Sequence, residues 1–342
     1  RIKTGNFEDD FSKISECDWV IEVVVERLDI KKEIFAKVDT FRKSGSLITS
    51  NTSGIPIHLM SEGRSEDFKK HFCGTHFFNP PRYLRLLEVI PTQDTLPEVI
   101  DFFMHYGDHY LGKTTVLCKD TPAFIANRVG VFSMMSVIHI MEKLGLTIDE
   151  VESLTGPILG RPKSATFRTA DVVGIDTLVK VATGVADNCP NDEAKATFIL
   201  PSWLEKMVAE NWLGDKTGQG FFKKVKTATS KEILTLNLAT LEYEPRKKTK
   251  MASIDAAKAV DSLPARLKVL YHSKDKAGQF IQAFHHALFS YISHRIPEIS
   301  DELYRVDDAL KAGFGWEIGA FESWNELGID AVIKDMKAAG VA

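Results

Sequence analysis

Apolar and polar positions along residues 18–117 form short β-rich runs separated by helical patterns, the signature of an α/β sheet with parallel strands. Residues 18–25 (DWVIEVVV) read as a buried strand. Behind them Ile30, Ile34, Phe35, Val38 and Phe41 recur at helical spacing, which predicts an amphipathic helix packed on the sheet. Runs at 47–50 (LITS), 72–78 (FCGTHFF), 84–90 (LRLLEVI) and 114–119 (TTVLCK) supply further strands, with a helix around 96–109.

Beyond Lys119 the pattern turns to long helices. Asp120-Thr121-Pro122 opens the first, since Asp or Thr can cap and proline suits the first turn; it runs to about Leu144 and stops at Gly145. Residues 147–150 (TIDE) have the spacing of a capping box for the next helix. Helices continue to about Leu213, and the lysine-rich stretch 223–250 reads as a linker with one hairpin near 233–241. Its run Arg246-Lys247-Lys248 reads as solvated surface. Residues 277–283 echo 122–127, and 306–330 echo 151–176, at an offset of about 155 residues. Two copies of one helical domain explain this, and Ala283 standing where the first copy has Asn127 implies that the second has lost any chemistry. The predicted divisions are 1–118 (partial sheet domain), 119–225 (helical), 226–260 (linker) and 261–342 (degenerate helical copy).

At 342 residues, two or three domains are expected. A chain 44% hydrophobic and 26% charged is far from disordered or membrane compositions. The net charge of -4 gives no reason to expect nucleic acid. Cys17, Cys73, Cys118 and Cys189 lie far apart, which points to buried thiols in a reducing, cytoplasmic setting, and the apolar stretch 129–141 is too short to span a bilayer. No signal peptide is visible, and a first residue of Arg1 leads to the expectation that translation starts further upstream.

His76 at the end of a strand, followed by Asn79-Pro80 and then by Glu88 in the next strand, is the strongest chemical signal. Ligands of α/β sheets sit beyond the carboxyl ends of strands, and a histidine there can take a hydroxyl proton while a carboxylate fixes its tautomer. A buried histidine between apolar strands is also what a satisfied core residue looks like. Asn51-Thr52-Ser53-Gly54 follows the strand LITS at the same edge, and is equally a plain turn. Glu26 and Lys31 reach that edge, or form a solvated charged turn. Asn127 and Arg128 lie in the first turns of a helix. His105 and His109 have zinc-compatible spacing but no third ligand, so no metal is expected; Ser53 lies outside any Gly-x-Ser-x-Gly elbow.

Together the segments SNTSG (50–54), GTHFFNP (74–80), LLEVI (86–90), LGK (111–113), KDTPAFIANR (119–128) and KTGQGFF (216–222) resemble the 3-hydroxyacyl-CoA dehydrogenase family over nearly the whole chain. The likeness is to the long bacterial type with a duplicated helical C-terminal domain, often fused to an enoyl-CoA hydratase. The resemblance implies a truncated Rossmann-type parallel sheet domain followed by two helical copies. It also implies transfer of hydride between L-3-hydroxyacyl-CoA and NAD in fatty acid β-oxidation. His76 would be the base, Glu88 its orienter, and Ser53 and Asn127 the groups that position the substrate oxygen. Glu26, Lys31, Ser53, Asn79 and Lys216 match positions near the nicotinamide half of NAD. An acyl-CoA thioester is the implied substrate, and a homodimer or association with thiolase the implied assembly. Two departures stand out. Residues 1–17 contain Gly5 alone and no Gly-x-Gly-x-x-Gly turn, so the chain by itself is expected to be weakly active, or to be a non-catalytic acyl-CoA-binding or oligomerisation protein. Arg161-Pro-Lys-Ser-Ala-Thr replaces a Met-Gly-Pro-type stretch, which bears on acyl-chain preference.

Overall fold

The structure is a computed structural model and describes residues 2–226 and 231–341. Contacts group the chain into two compact units, Arg1–Asn127 with Pro297–Gly313, and Arg128–Ile296 with Phe314–Ala342. These units cut across the four consecutive segments expected from the sequence, because residues 297–313 return to the first unit.

In the first unit a five-stranded sheet runs in the order β1 (Trp19–Glu22), β2 (Leu47–Ser50), β3 (Phe72–Phe77), β4 (Leu86–Pro91), β5 (Thr114–Leu117). β1, β2 and β3 are parallel, as are β4 and β5, but β3 and β4 pair antiparallel. The expected Rossmann-like parallel sheet thus holds for three of the four strand pairs and is corrected at β3–β4, which makes the sheet mixed. The connection 78–85 holds no helix, and a parallel return needs a crossover of roughly a dozen residues or more. β3 and β4 are buried at five of their six positions each, as central strands must be.

Helix α1 (Leu28–Phe41) covers the sheet; of the predicted face Phe35 and Val38 are buried, with Lys31 beside them, while Ile30 and Ile34 are half-buried and Phe41 is exposed. Phe35 meets Phe68 of α3 (Glu66–Lys70) and Phe72 of β3, with ring centroids 5.6 and 5.0 Å apart. A short α2 (Ile57–Ser61) follows β2, and α4 (Pro97–His109) adds Val99 and Phe103 to a cluster with Cys73, Leu87 and Val89. The returning segment is tied on by Lys119 N donating to Ile299 O (3.1 Å) and Arg305 Nη1 to Leu117 O (3.2 Å).

Helix α5 (Ala126–Leu144) starts four residues after Pro122. Ala123 and Phe124 carry left-handed φ of 64° and 52°, so the chain turns sharply there before it becomes helical. Asp120 does not cap α5; its carboxylate accepts from Ile57 N (2.6 Å) and His58 N (2.8 Å) at the start of α2.

The second unit continues α5 and holds α6 (Ile148–Thr155), whose Thr147–Glu150 capping box is present as expected. α7 (Phe167–Val173), α8 (Ile175–Asn188) and α9 (Ser202–Ala209) follow. The expected linker is an antiparallel sheet of three strands instead, β6 (Phe222–Lys226), β7 (Lys231–Asn237) and β8 (Glu242–Pro245). Then come α10 (Ala252–Lys258), α11 (Leu263–His272), α12 (Lys276–Arg295), α14 (Ala320–Leu327) and α15 (Ile329–Ala338), while α13 (Leu303–Phe314) lies almost wholly in the first unit. Among the described residues no helix is long and apolar enough to cross a membrane.

Candidate active site

His76 and Glu88 are directly opposed across the β3–β4 pair, so their side chains project from the same face of the sheet. His76 Nδ1 lies 2.7 Å from Glu88 Oε2, with both side chains buried. The other oxygen, Oε1, accepts from Ile125 N (3.1 Å) and Ala126 N (2.8 Å), and the Cys118 thiol lies 3.6 Å from it. The left-handed Ala123-Phe124 turn thus aims two amides at the entry of α5 onto one carboxylate, where a helix N-terminus favours negative charge. With Nδ1–H donated to Glu88, Nε2 keeps its lone pair and has no hydrogen-bond partner among the described residues. Phe78 and Phe124 flank the imidazole at 4.7 and 5.7 Å between ring centres. Burial and then the neighbouring Glu88 push the Cys118 thiol well above its usual range, so it stays protonated.

The loop after β2 is built around two carboxylates. Glu26 Oε1 accepts from Thr52 Oγ1 (2.6 Å) and Ser53 N (2.8 Å). Burial would raise this carboxyl, but those two bonds and the Lys31 ammonium outweigh it and hold it below its ordinary value. Lys31 is 1% exposed. Its ammonium reaches both oxygens of Glu22 (2.8 and 3.0 Å) as well as Glu26 Oε2 (3.3 Å), and Ser50 Oγ donates to Glu22 Oε2 (2.5 Å). Asn127 Nδ2 donates to Ser53 O (3.2 Å), joining this loop to the start of α5. Asn51 Oδ1 receives Phe77 N at the end of β3 (2.9 Å). His76, Glu88, Asn127, Ser53, Glu26 and Lys31 therefore belong to one connected region of the first unit.

Family models match in order along the chain: 3-hydroxyacyl-CoA dehydrogenase, NAD binding domain, over residues 1–121, and 3-hydroxyacyl-CoA dehydrogenase, C-terminal domain, over residues 124–224. A probable 3-hydroxyacyl-CoA dehydrogenase of Caenorhabditis elegans is 34% identical over 226 residues, 66% of this chain and 73% of that protein. The chain belongs to the 3-hydroxyacyl-CoA dehydrogenase family. A probable 3-hydroxyacyl-CoA dehydrogenase of Bacillus subtilis is 47% identical over 339 residues, 99% of this chain and 42% of that protein, so the chain spans about two fifths of this relative's length. The crystal structure of 3-hydroxybutyryl-CoA dehydrogenase from Escherichia coli, 20% identical, shares the fold with a TM-score of 0.68 over 94% of this chain and 77% of that one.

Within the dehydrogenase framework, the remaining sequence-selected residues fall in different places. Asn79 is exposed just past β3, and Ser53 is exposed on its loop. Lys216 is exposed in the second unit, where it pairs with Asp176. Sequence reasoning missed Glu22, the partner that keeps Lys31 buried, because an acid inside DWVIEVVV looks like an interruption of an apolar run. It also missed the Ile125 and Ala126 amides, which no side-chain motif announces. His105 and His109 are exposed and stacked at 4.2 Å, and among the described residues no cluster of three or more metal-ligating side chains forms.

Proposed function

We propose that the protein carrying this chain oxidises L-3-hydroxyacyl-CoA to 3-oxoacyl-CoA with NAD, and reduces the product when NADH is abundant. The observation that supports this reading is the His76–Glu88 pair with Nε2 left free. His76 Nε2 takes the 3-hydroxyl proton, and the buried Glu88 carboxylate stabilises the imidazolium that forms. NAD, when bound, accepts the hydride from C3. Asn127 and Ser53, tied by their hydrogen bond, position the substrate oxygen beside the imidazole. The residues present fit the nicotinamide half of a dinucleotide: exposed Ser53 and Asn79 and half-buried Glu26 offer polar groups beyond the carboxyl ends of β1, β2 and β3. Lys31 acts through Glu26, since its ammonium is enclosed by carboxylates.

The helical region is part of the same proposal, as two copies of one unit. The helix-glycine-helix step of α7-Gly174-α8 recurs as α14-Gly328-α15, with φ of 107° and 93° at the two glycines; Gly160 and Gly315 share φ of 66° and 67°.

The test follows NADH absorbance with acetoacetyl-CoA in the full-length protein. His76→Gln should lower turnover by about two to four orders of magnitude, the effect of losing a general base. Wild-type turnover in that variant would remove His76 from the reaction.

A further inference from the structure

The second unit holds a cleft of about 1200 Å³ between α6, the start of α7, the three-stranded sheet and α10. That is large enough for a ligand of nucleotide size. Seven cationic side chains line it against three carboxylates, in a chain whose formal net charge is -4. The Arg246-Lys247-Lys248 run, which reads in sequence as solvated surface, forms one wall.

The three carboxylates are already engaged. Asp149 accepts from Arg246 Nε (2.9 Å), Lys247 N (2.8 Å) and Thr235 Oγ1 (3.1 Å). Asp215 holds Arg168 through two bonds of 2.7 and 2.6 Å. Glu152 accepts from Thr166 N, Phe167 N and Arg168 N at the start of α7. Lys163, Lys224 and Lys248 also line the cleft, and none has a carboxylate at ion-pair distance among the described residues. The Arg246 guanidinium is steadied over the Phe222 ring at 5.1 Å. Uncompensated cations in a concavity raise the local concentration of anions more than the same charges on a convex surface. Ser153 and Thr249 add hydroxyls, and Ile233 an apolar patch for a non-phosphate body.

We propose that this cleft is a second ligand site, separate from the His76–Glu88 pair, that takes a phosphorylated nucleotide through its phosphates. Lys163, Lys224 and Lys248 carry the recognition, and Arg168 and Arg246 are held rigid beside them by Asp215 and Asp149. The proposal does not rest on the dehydrogenase chemistry.

Calorimetric titration of the 342-residue chain with ADP, pyrophosphate and adenosine tests it. ADP should bind at low salt and weaken steeply as salt rises. The Lys163→Glu, Lys224→Glu, Lys248→Glu triple variant, altered at three exposed positions, should bind at least about tenfold more weakly, and the three single reversals should each lose part of that affinity. His76→Gln should bind as wild type does, which keeps this result apart from any failure of the catalytic reading. Equal ADP affinity in the wild type and the triple variant, or no saturable ADP binding to about 1 mM, overturns the site. Pyrophosphate binding as tightly as ADP overturns the nucleotide part, and adenosine binding as tightly as ADP overturns recognition through phosphate.

Discussion

Four donors converge on the two oxygens of Glu88: the His76 ring, the Ile125 and Ala126 amides and the Cys118 thiol. That crowding makes Glu88→Gln informative. The amide oxygen can still serve Ile125 and Ala126, but its NH2 then faces Nδ1, which must become an acceptor and move the ring proton to Nε2. In the full-length protein kcat should fall by about 10² to 10⁴ with KM little changed, because the wrong tautomer cannot take a proton and Glu88 does not touch substrate. A kcat within about threefold of wild type would rule out tautomer control. Glu152 gives a second prediction, this time for stability. Burial lifts its carboxyl from 4.5 to about 7, against the pull of three amides and Arg246. An acid raised on folding stabilises the native state below its unfolded value, and that contribution is lost as pH rises through about 7, here about 3 kcal/mol in full. From pH 4.5 to 8 Glu152 should tilt stability downward, against the rise that buried His285, held down at about 3, gives up to its unfolded value, so denaturant unfolding of Glu152→Gln should show a less negative slope than wild type; a slope identical to wild type would exclude Glu152 as a contributor. Asp171, lifted to about 6 mainly by burial, works in the same direction as Glu152, so part of the downward tilt remains in the variant. Of these residues, His76 and Glu88 were legible because strand ends and their spacing show in the sequence. Glu152 was not, since nothing in an amphipathic pattern says that one of its polar positions will be covered.

At the scale of elements, α1 shows where periodicity misleads. Lys31 occupies the buried stripe with Phe35 and Val38 because Glu22 on β1 waits beneath it, and the pair joins helix to sheet through a charge contact. Lys31→Met should destabilise the first unit by about 3 to 5 kcal/mol by stranding Glu22 without a counter-charge, and adding Glu22→Gln should recover most of that loss. Thermal unfolding of the single and double variants checks this, and a double variant no more stable than Lys31→Met refutes the pairing argument. The direction of β4 could have been read from the short helix-free stretch before it, which is too brief for a parallel crossover. The strands of 222–245 were half visible: the alternation around Ile233 to Leu236 marks β7, but lysine-rich neighbours disguise its partners β6 and β8. The late start of α5 was hidden altogether, because Ala and Phe carry no signature for left-handed backbone.

For the whole molecule, order along the sequence and grouping in space obey different logic. Helical periodicity tells which face of 303–314 is apolar without telling what covers it, and the segment 297–313 packs in the first unit although it lies far from that unit's other residues in the sequence. There Ile299 is fully buried, Arg305 reaches the carbonyl at the end of β5, and a Cβ at Gly313 would come within 2.8 Å of Leu86. The β5 edge of the sheet that carries Glu88 is therefore held by residues some two hundred positions away. A chain ending at residue 260 should lose these contacts, and hydrogen exchange of the Val116, Leu117 and Cys118 amides should quicken as β5 loses its cover. The exchange rates of α1 and β2, remote from the segment in the strand order, should change less. If β5 amides in the shortened chain exchange as slowly as in the full one, the returning segment is an attachment and not a structural part of the sheet that carries Glu88.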